Sequence, residues 1–166
     1  MTPVSALLAS VLAVAGLAAP AASATPAGEA GATLWARQCA KEADGREQCF
    51  VEQYAVGMPA KAVLLNVRFG LVGSEGKARM VLTAPLGVLL QPGLTLRIDA
   101  SAPITLPFDR CDGGGCRAVA EIDRAVLDRL RNGSMMTVRF ATGDQKPLDV
   151  PIPLTGLDAA LTQLKR

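Results

Sequence analysis

The chain predicts an all-β fold: an antiparallel β-sandwich of about eight or nine short strands with two short helices, one of them C-terminal. Three observations carry this expectation. Short apolar or alternating segments recur from Leu34 onward, separated by Gly, Pro and Asp. The four cysteines fall in two pairs, each enclosing turn residues. An apolar leader precedes them and directs the chain to a compartment where thiols oxidise.

The leader is the run from Leu7 to Ala19, followed by Ala22-Ser23-Ala24. It reads as a secretory signal over residues 1–24 with a small-residue cleavage site, although its first residues carry no Lys or Arg. The run is short for a bilayer span and no stop-transfer segment follows, so no transmembrane segment is expected after signal cleavage. Residues 25–33, small and polar around Pro26, Gly28 and Gly31, read as a flexible tether. Residues 34–166 read as one domain, long enough for a real core. The charges of the whole chain are interspersed, with 17 Lys and Arg against 15 Asp and Glu and a net charge of +2. Nothing in that pattern argues for nucleic acid or anionic lipid as a partner, and no nucleic acid is expected.

The candidate strands, in order, are Leu34–Ala40, Gln48–Val56, Ala62–Gly70, Ala78–Thr83, Leu94–Ala100, Ile104–Asp109, Arg117–Glu121, Met135–Ala141 and Leu148–Ile152. Leu64, Val67, Phe69 and Leu71 do not alternate cleanly, which leaves the third strand's limits open. Met80–Leu90 is almost continuously apolar and reads as a buried strand that ends in a tight turn near Pro85 and Gly87. Asp123 is placed to cap a helix over Arg124–Arg131, with Ile122 and Leu127 as a staple and Asn132-Gly133 as the stop. Val126, Leu127 and Leu130 form its apolar face. Thr155, answered by Asp158, is placed to cap a second helix whose Leu157, Ala160, Leu161 and Leu164 share a face. Each helix is expected to lie on a sheet as a lid.

Spacing pairs the cysteines. A three-residue hairpin loop, Ala43-Asp44-Gly45, with Gly45 in the left-handed conformation sets Cys39 directly opposite Cys49. Counting outward makes theirs a non-hydrogen-bonded pair, whose close Cα approach suits a cross-strand bridge. A two-residue loop would turn the thiols to opposite faces. Cys111-Asp112-Gly113-Gly114-Gly115-Cys116 is a four-residue loop with the cysteines at its base and glycines that supply positive φ. Each bridge closes a small ring and contributes about 2–3 kcal/mol. Neither pair has redox C-x-x-C spacing, and the first pair is too widely spaced for a four-cysteine zinc site.

The chain has no histidine. That removes Ser-His and Cys-His nucleophiles and the histidine-based metalloprotease motifs, and the residues point to no cofactor and no metal site. The triple glycine lacks the Lys-Ser/Thr and helix start of a phosphate loop. Asp109 and Asp112 could act as a carboxylate pair, or hold a hard cation with Asp99, but turn-flanking Asp more often caps backbone, as at Asp44. Trp35 beside a disulfide fits core packing better than a surface anchor. Phe50 and Tyr54 are neighbours in the hairpin register and form a possible exposed binding patch, with the buried face left open by the alternation.

The ordered motifs resemble the invasion-associated locus B proteins of Gram-negative bacteria. The matching pieces are Trp35-x-x-x-Cys39, Cys49-Phe50-Val51-Glu52-Gln53, the segment from Ala84 to Leu90 and the segment from Gly93 to Asp99. Pro107-Phe108-x-x-Cys111-x-x-x-Gly115-Cys116 and Leu154-x-Gly156-Leu157-x-x-Ala160-Leu161 complete the series, with Leu157 standing where the family is often aromatic. The resemblance implies a secreted β-sandwich in the periplasm or at the outer surface. It also implies an association, in pathogens, with host-cell invasion and virulence, and brings no catalytic residues.

The favoured function is therefore a non-enzymatic envelope protein that binds another macromolecule, an unknown protein or envelope component. The alternative is a periplasmic carrier of a small apolar ligand between sheet and helices, and a carboxylate-dependent enzyme ranks last. Neither the partner nor the oligomeric state is written in the residues. Alkylation mass spectrometry of the mature protein is expected to find no free thiol and to recover Cys39 with Cys49 and Cys111 with Cys116; a peptide joining Cys39 to Cys111 would contradict the pairing.

Overall fold

The computed structural model describes residues 35–41, 45–58, 61–72 and 77–164. The expected signal, the tether and the turn residues Ala43 and Asp44 lie outside the described residues. In chain order the elements are β1 (Ala36–Lys41), β2 (Glu47–Gly57), β3 (Ala62–Val72), β4 (Lys77–Ala84), β5 (Leu94–Ile98) and β6 (Ile104–Leu106). There follow β7 (Arg110–Asp112), β8 (Gly115–Ile122), α1 (Arg124–Asn132), β9 (Met135–Ala141), β10 (Pro147–Pro153) and α2 (Leu157–Gln163).

These strands form an antiparallel β-sandwich, with one sheet in the order β1-β2-β3-β4-β8-β7 and the other in the order β10-β9-β5-β6. Period-two alternation sorts their side chains. Leu65, Val67 and Phe69 of β3, Met80 and Leu82 of β4 and Ala118 of β8 face inward. They meet Leu94, Leu96, Met136, Val138, Val150 and Ile152 of the smaller sheet in one continuous core. Burying each large aliphatic side chain there stabilises the fold by about 1.5–3 kcal/mol. Trp35 is in this core, as expected: its ring lies 5.4 Å from that of Phe69 and its Nε1 donates to the Pro153 carbonyl at 3.1 Å. The indole thus ties the start of the domain to the end of β10.

The uneven alternation around Leu64 has a structural cause. Ala55 pairs with Leu65 but Val56 pairs with Val63, so Leu64 is the extra residue of a β-bulge. Other expectations need correction. Ile104–Asp109 is not one strand: pairing stops at Leu106, before Pro107, which has no N–H to continue a ladder. Arg110–Asp112 then joins the other sheet. The fifth strand ends at Ile98 because Asp99 turns to φ 46. Within Met80–Leu90 only the first part is core, since Leu86 and Leu90 are 60% and 51% exposed.

The helices follow their apolar faces, with different ends. Asp123 caps α1 as expected, its Oδ1 accepting the Val126 N–H at 2.7 Å. Gly133 stops α1 in an extended conformation, where an added Cβ would lie 2.7 Å from the Arg129 carbonyl oxygen; close packing, not left-handed geometry, requires the glycine. Thr155 does not cap α2. Gly156, at φ 85, opens that helix, and Asp158 reaches Arg131 of α1 instead, 2.9 Å from its Nε. Val126, Leu130, Leu157, Ala160 and Leu161 enter the shared core, and the helices pack against each other rather than as separate lids.

In the second hairpin Cys111 faces Cys116, as the spacing predicts. Asp112 also pairs with Gly115, so the turn narrows to Gly113-Gly114. Only Gly115 of the three glycines has positive φ, at 122°, and an added Cβ there would run into the Ala84 carbonyl oxygen. Gly115→Ala is expected to cost about 1–3 kcal/mol in urea unfolding. Gly113→Ala, where an added Cβ meets nothing within 4 Å, should stay within about 0.5 kcal/mol of the parent. Equal effects at the two positions would contradict this hairpin geometry.

Candidate functional site

Alternation that fills the core also dictates what stands on the outer face of the larger sheet. On β2 that face carries Phe50, Glu52 and Tyr54, and the register sets Glu52 opposite Arg68 and Tyr54 opposite Asn66. Asn66 lies opposite Thr83 and Arg68 opposite Val81. Thr83 in turn lies opposite Arg117, and Arg117 opposite Arg110. A line of polar side chains therefore crosses the sheet from β2 to β7.

Around this line is an open cleft of about 610 Å³. Its lining includes Tyr54, Asn66, Arg68, Thr83 and Arg117, with Val63, Val81 and Pro85 as apolar patches. Tyr54 is 47% exposed, whereas Asn66 is only 6% exposed although it faces outward. Glu52 organises one end. Its Oε2 accepts from Arg68 Nε at 2.9 Å, Tyr54 hydroxyl at 3.1 Å and Asn66 Nδ2 at 3.3 Å, and its side chain is 11% exposed. Arg68 is further held over the Phe50 ring, with Cζ 4.9 Å from the ring centroid. Burial alone would lower the Arg68 pKa, but hydrogen bonds with Tyr54 and Glu52, together with the Glu52 charge, hold it above its ordinary value. At the other end Arg117 Nη2 lies 3.4 Å from Asp112 Oδ2.

The smaller sheet has its own outer cleft of about 220 Å³, lined by Thr95, Arg97, Pro103, Thr137, Arg139 and Asp149. Arg139 makes a two-pronged bond to Asp149, both contacts at 2.6 Å. That bond is the main reason the Asp149 carboxyl is held below its usual range, with the Arg139 and Arg97 charges acting in the same direction.

The expected aromatic pair is divided by this arrangement. Phe50 and Tyr54 share the outer face, but Glu52 stands between them and Phe50 is half-buried, backing Arg68. Tyr54 alone of the two lines the cleft. Asn66, Arg68, Thr83 and Arg117, which complete the site, were not singled out from the sequence. Of the carboxylates considered for catalysis or cation binding, Asp109 is tied through its backbone N–H to the Arg117 carbonyl, and Asp99 and Asp112 bond to backbone. Asp99 accepts the Ser134 and Met135 N–H groups at 3.1 and 3.0 Å, and Asp112 accepts the Gly114 N–H at 2.8 Å. These are backbone-capping roles. Among the described residues one group of three side chains has metal-ligating types, Cys39, Glu47 and Cys49, and both sulfurs are bonded to each other.

The four cysteines form the two expected disulfides, Cys39–Cys49 and Cys111–Cys116, with Cα atoms 4.0 Å apart in each. No helix among the described residues is long and apolar enough to cross a membrane. Fold and site together define a disulfide-braced β-sandwich with a solvent-facing cleft on its larger sheet. The profile of the Invasion associated locus B (IalB) protein family matches residues 35–165, and the chain belongs to that family. An invasion protein B homolog of Brucella abortus is 29% identical over 132 residues, covering 79% of this chain and 75% of the relative. The homolog from a second Brucella abortus strain aligns equally well. The crystal structure of invasion associated protein B from Bartonella henselae shares the fold, with a TM-score of 0.71 and 23% identity over 80% of this chain and 91% of that one.

Glu52→Gln tests the anchor of the cleft. Replacing the shared charged acceptor is expected to cost about 1–3 kcal/mol in urea unfolding. Glu52→Gln combined with Arg68→Gln should cost less than the sum of the two single changes; strict additivity would contradict a coupled network.

Proposed function

We propose that this chain is an exported, non-enzymatic binding protein whose contact surface is the outer face of the six-stranded sheet. The observation that carries the proposal is the Tyr54–Arg117 cleft. Its lining combines polar side chains with small apolar patches, and the neighbouring carboxylates Glu52 and Asp112 are paired with Arg68 and Arg117. Arg68 and Tyr54 are held in place by Glu52 before any ligand arrives, which lowers the ordering cost of binding.

Export is supported by the leader sequence and by the two disulfides, which belong to oxidising compartments. In this reading residues 1–24 are removed and the domain acts in the periplasm or at the outer surface. The names of the Brucella and Bartonella relatives, which refer to invasion, support host-cell contact as the setting. The apolar-carrier reading gains nothing from Met80 and Leu82, which are fully buried in the core.

Site-specific photo-crosslinkers at Val63 and Val81 test the surface in intact cells. Covalent adducts are expected at these two positions and not at Thr95 or Thr137 on the smaller sheet. Adducts at all four positions alike, or at none, would remove the proposed surface. A deletion strain that enters host cells as often as its parent would remove the invasion setting while leaving the surface in place.

A further inference from the structure

The same cleft constrains its occupant, an inference that rests on the contact surface proposed above. The geometry points to an acidic oligosaccharide, a chain of sugars bearing carboxylates, seated across Tyr54, Asn66, Thr83 and Arg117.

Position excludes one common mode of recognition. The cleft lies over β3 and β4, whose backbones are both paired on each side, β3 with β2 and β4, and β4 with β3 and β8. No ladder edge is open there for an added peptide strand, so side chains must make the contacts. Size and character narrow the choice. A cleft of about 610 Å³ falls within the roughly 300–1,000 Å³ of small-ligand sites. Glu52 and Asp112 partner part of this lining, but an apolar molecule would still strip water from the remaining donors of Arg68 and Arg117 and from the Thr83 hydroxyl, at a cost in each case. A pyranose presents hydroxyls at its edge and C–H groups on its face. The Thr83 hydroxyl and the Arg117 guanidinium suit the edge, while the Tyr54 ring, Val63 and Val81 suit the face.

Charge sets the class of sugar. Arg68 donates Nε to Glu52 and also bonds with Tyr54, so part of its guanidinium remains for other contacts. Arg117 lines the far side, and Arg110 stands opposite it on the same face, adding a third cation at the rim. Glu52 and Asp112 offset two of these three charges. Arg68 and Arg117 lie two strands apart, so their backbones are separated by roughly 10 Å or more. Acidic groups repeated along a chain can engage both sites at once.

The test is calorimetric and NMR titration of the mature, disulfide-intact protein with trigalacturonate, maltotriose and triglutamate. Trigalacturonate is expected to bind, to weaken with added salt and to shift resonances of Tyr54, Asn66 and Arg117. Arg117→Gln and Arg110→Gln, which leave the Glu52 network untouched, should each reduce affinity at least several-fold. Arg97→Gln on the smaller sheet should not. Absence of trigalacturonate binding at millimolar concentration would overturn the inference, as would equal binding of maltotriose or of triglutamate. If trigalacturonate fails while crosslinks at Val63 and Val81 persist, the ligand class falls and the contact surface stands. If both fail, the surface falls as well.

Discussion

Strand register across β2, β3, β4 and β8 is the constraint on which the rest of the molecule depends. In a pleated strand successive side chains face opposite ways, so a register that turns Leu65, Val67, Phe69, Met80 and Leu82 into the core must turn Asn66, Arg68, Val81 and Thr83 to the outer face. Core and cleft are two faces of one pairing. The core supplies the energy that holds the register, and the register gathers polar residues from four strands without any local motif. A one-residue slip would turn the arginines of these strands inward and expose the core, a cost far beyond the few kcal/mol that separate folded from unfolded domains.

The disulfides act at the margins of this arrangement. Cys39–Cys49 holds the edge strand β1, and Cys111–Cys116 holds β7, the opposite edge of the same sheet. Each edge strand has a neighbour on one side only, and β1 is exposed along its whole length. Covalent bridges secure what little burial there would leave loose. The β7–β8 bridge also steadies the hairpin that brings Arg117 and Gly114 to the cleft. Stability devices at the edges thereby become part of the geometry of the site. The edges of the smaller sheet are managed differently. β10 carries Pro147, Pro151 and Pro153, and β6 is three residues long and flanked by Pro103 and Pro107.

Much of this architecture is legible in the sequence because it is written locally. Hairpin spacing pairs the cysteines, Asp123 marks the start of α1, and alternation marks most strands. The family, too, can be recognised from motifs spread along the chain. What escapes is non-local or depends on a single residue. Leu64 is a bulge, and no pattern in β3 alone distinguishes a bulge from an imperfect strand. Pro107 splits one apparent strand into pieces of two sheets. The opening of α2 falls to Gly156 rather than Thr155 because a left-handed residue, not a side-chain cap, makes the turn. The cleft was the least legible part. Asn66, Arg68, Thr83 and Arg117 are ordinary outer-face residues in their own strands, and only sheet order and register make them neighbours.

The register itself can be measured most directly by cross-strand nuclear Overhauser contacts in the oxidised protein. The account predicts contacts that join Asn66 to Thr83, and Thr83 to Arg117, across β3, β4 and β8. Contacts joining Asn66 to Leu82 or Thr83 to Ala118 as direct partners would contradict it, because the polar line and the cleft built on it would no longer share one face.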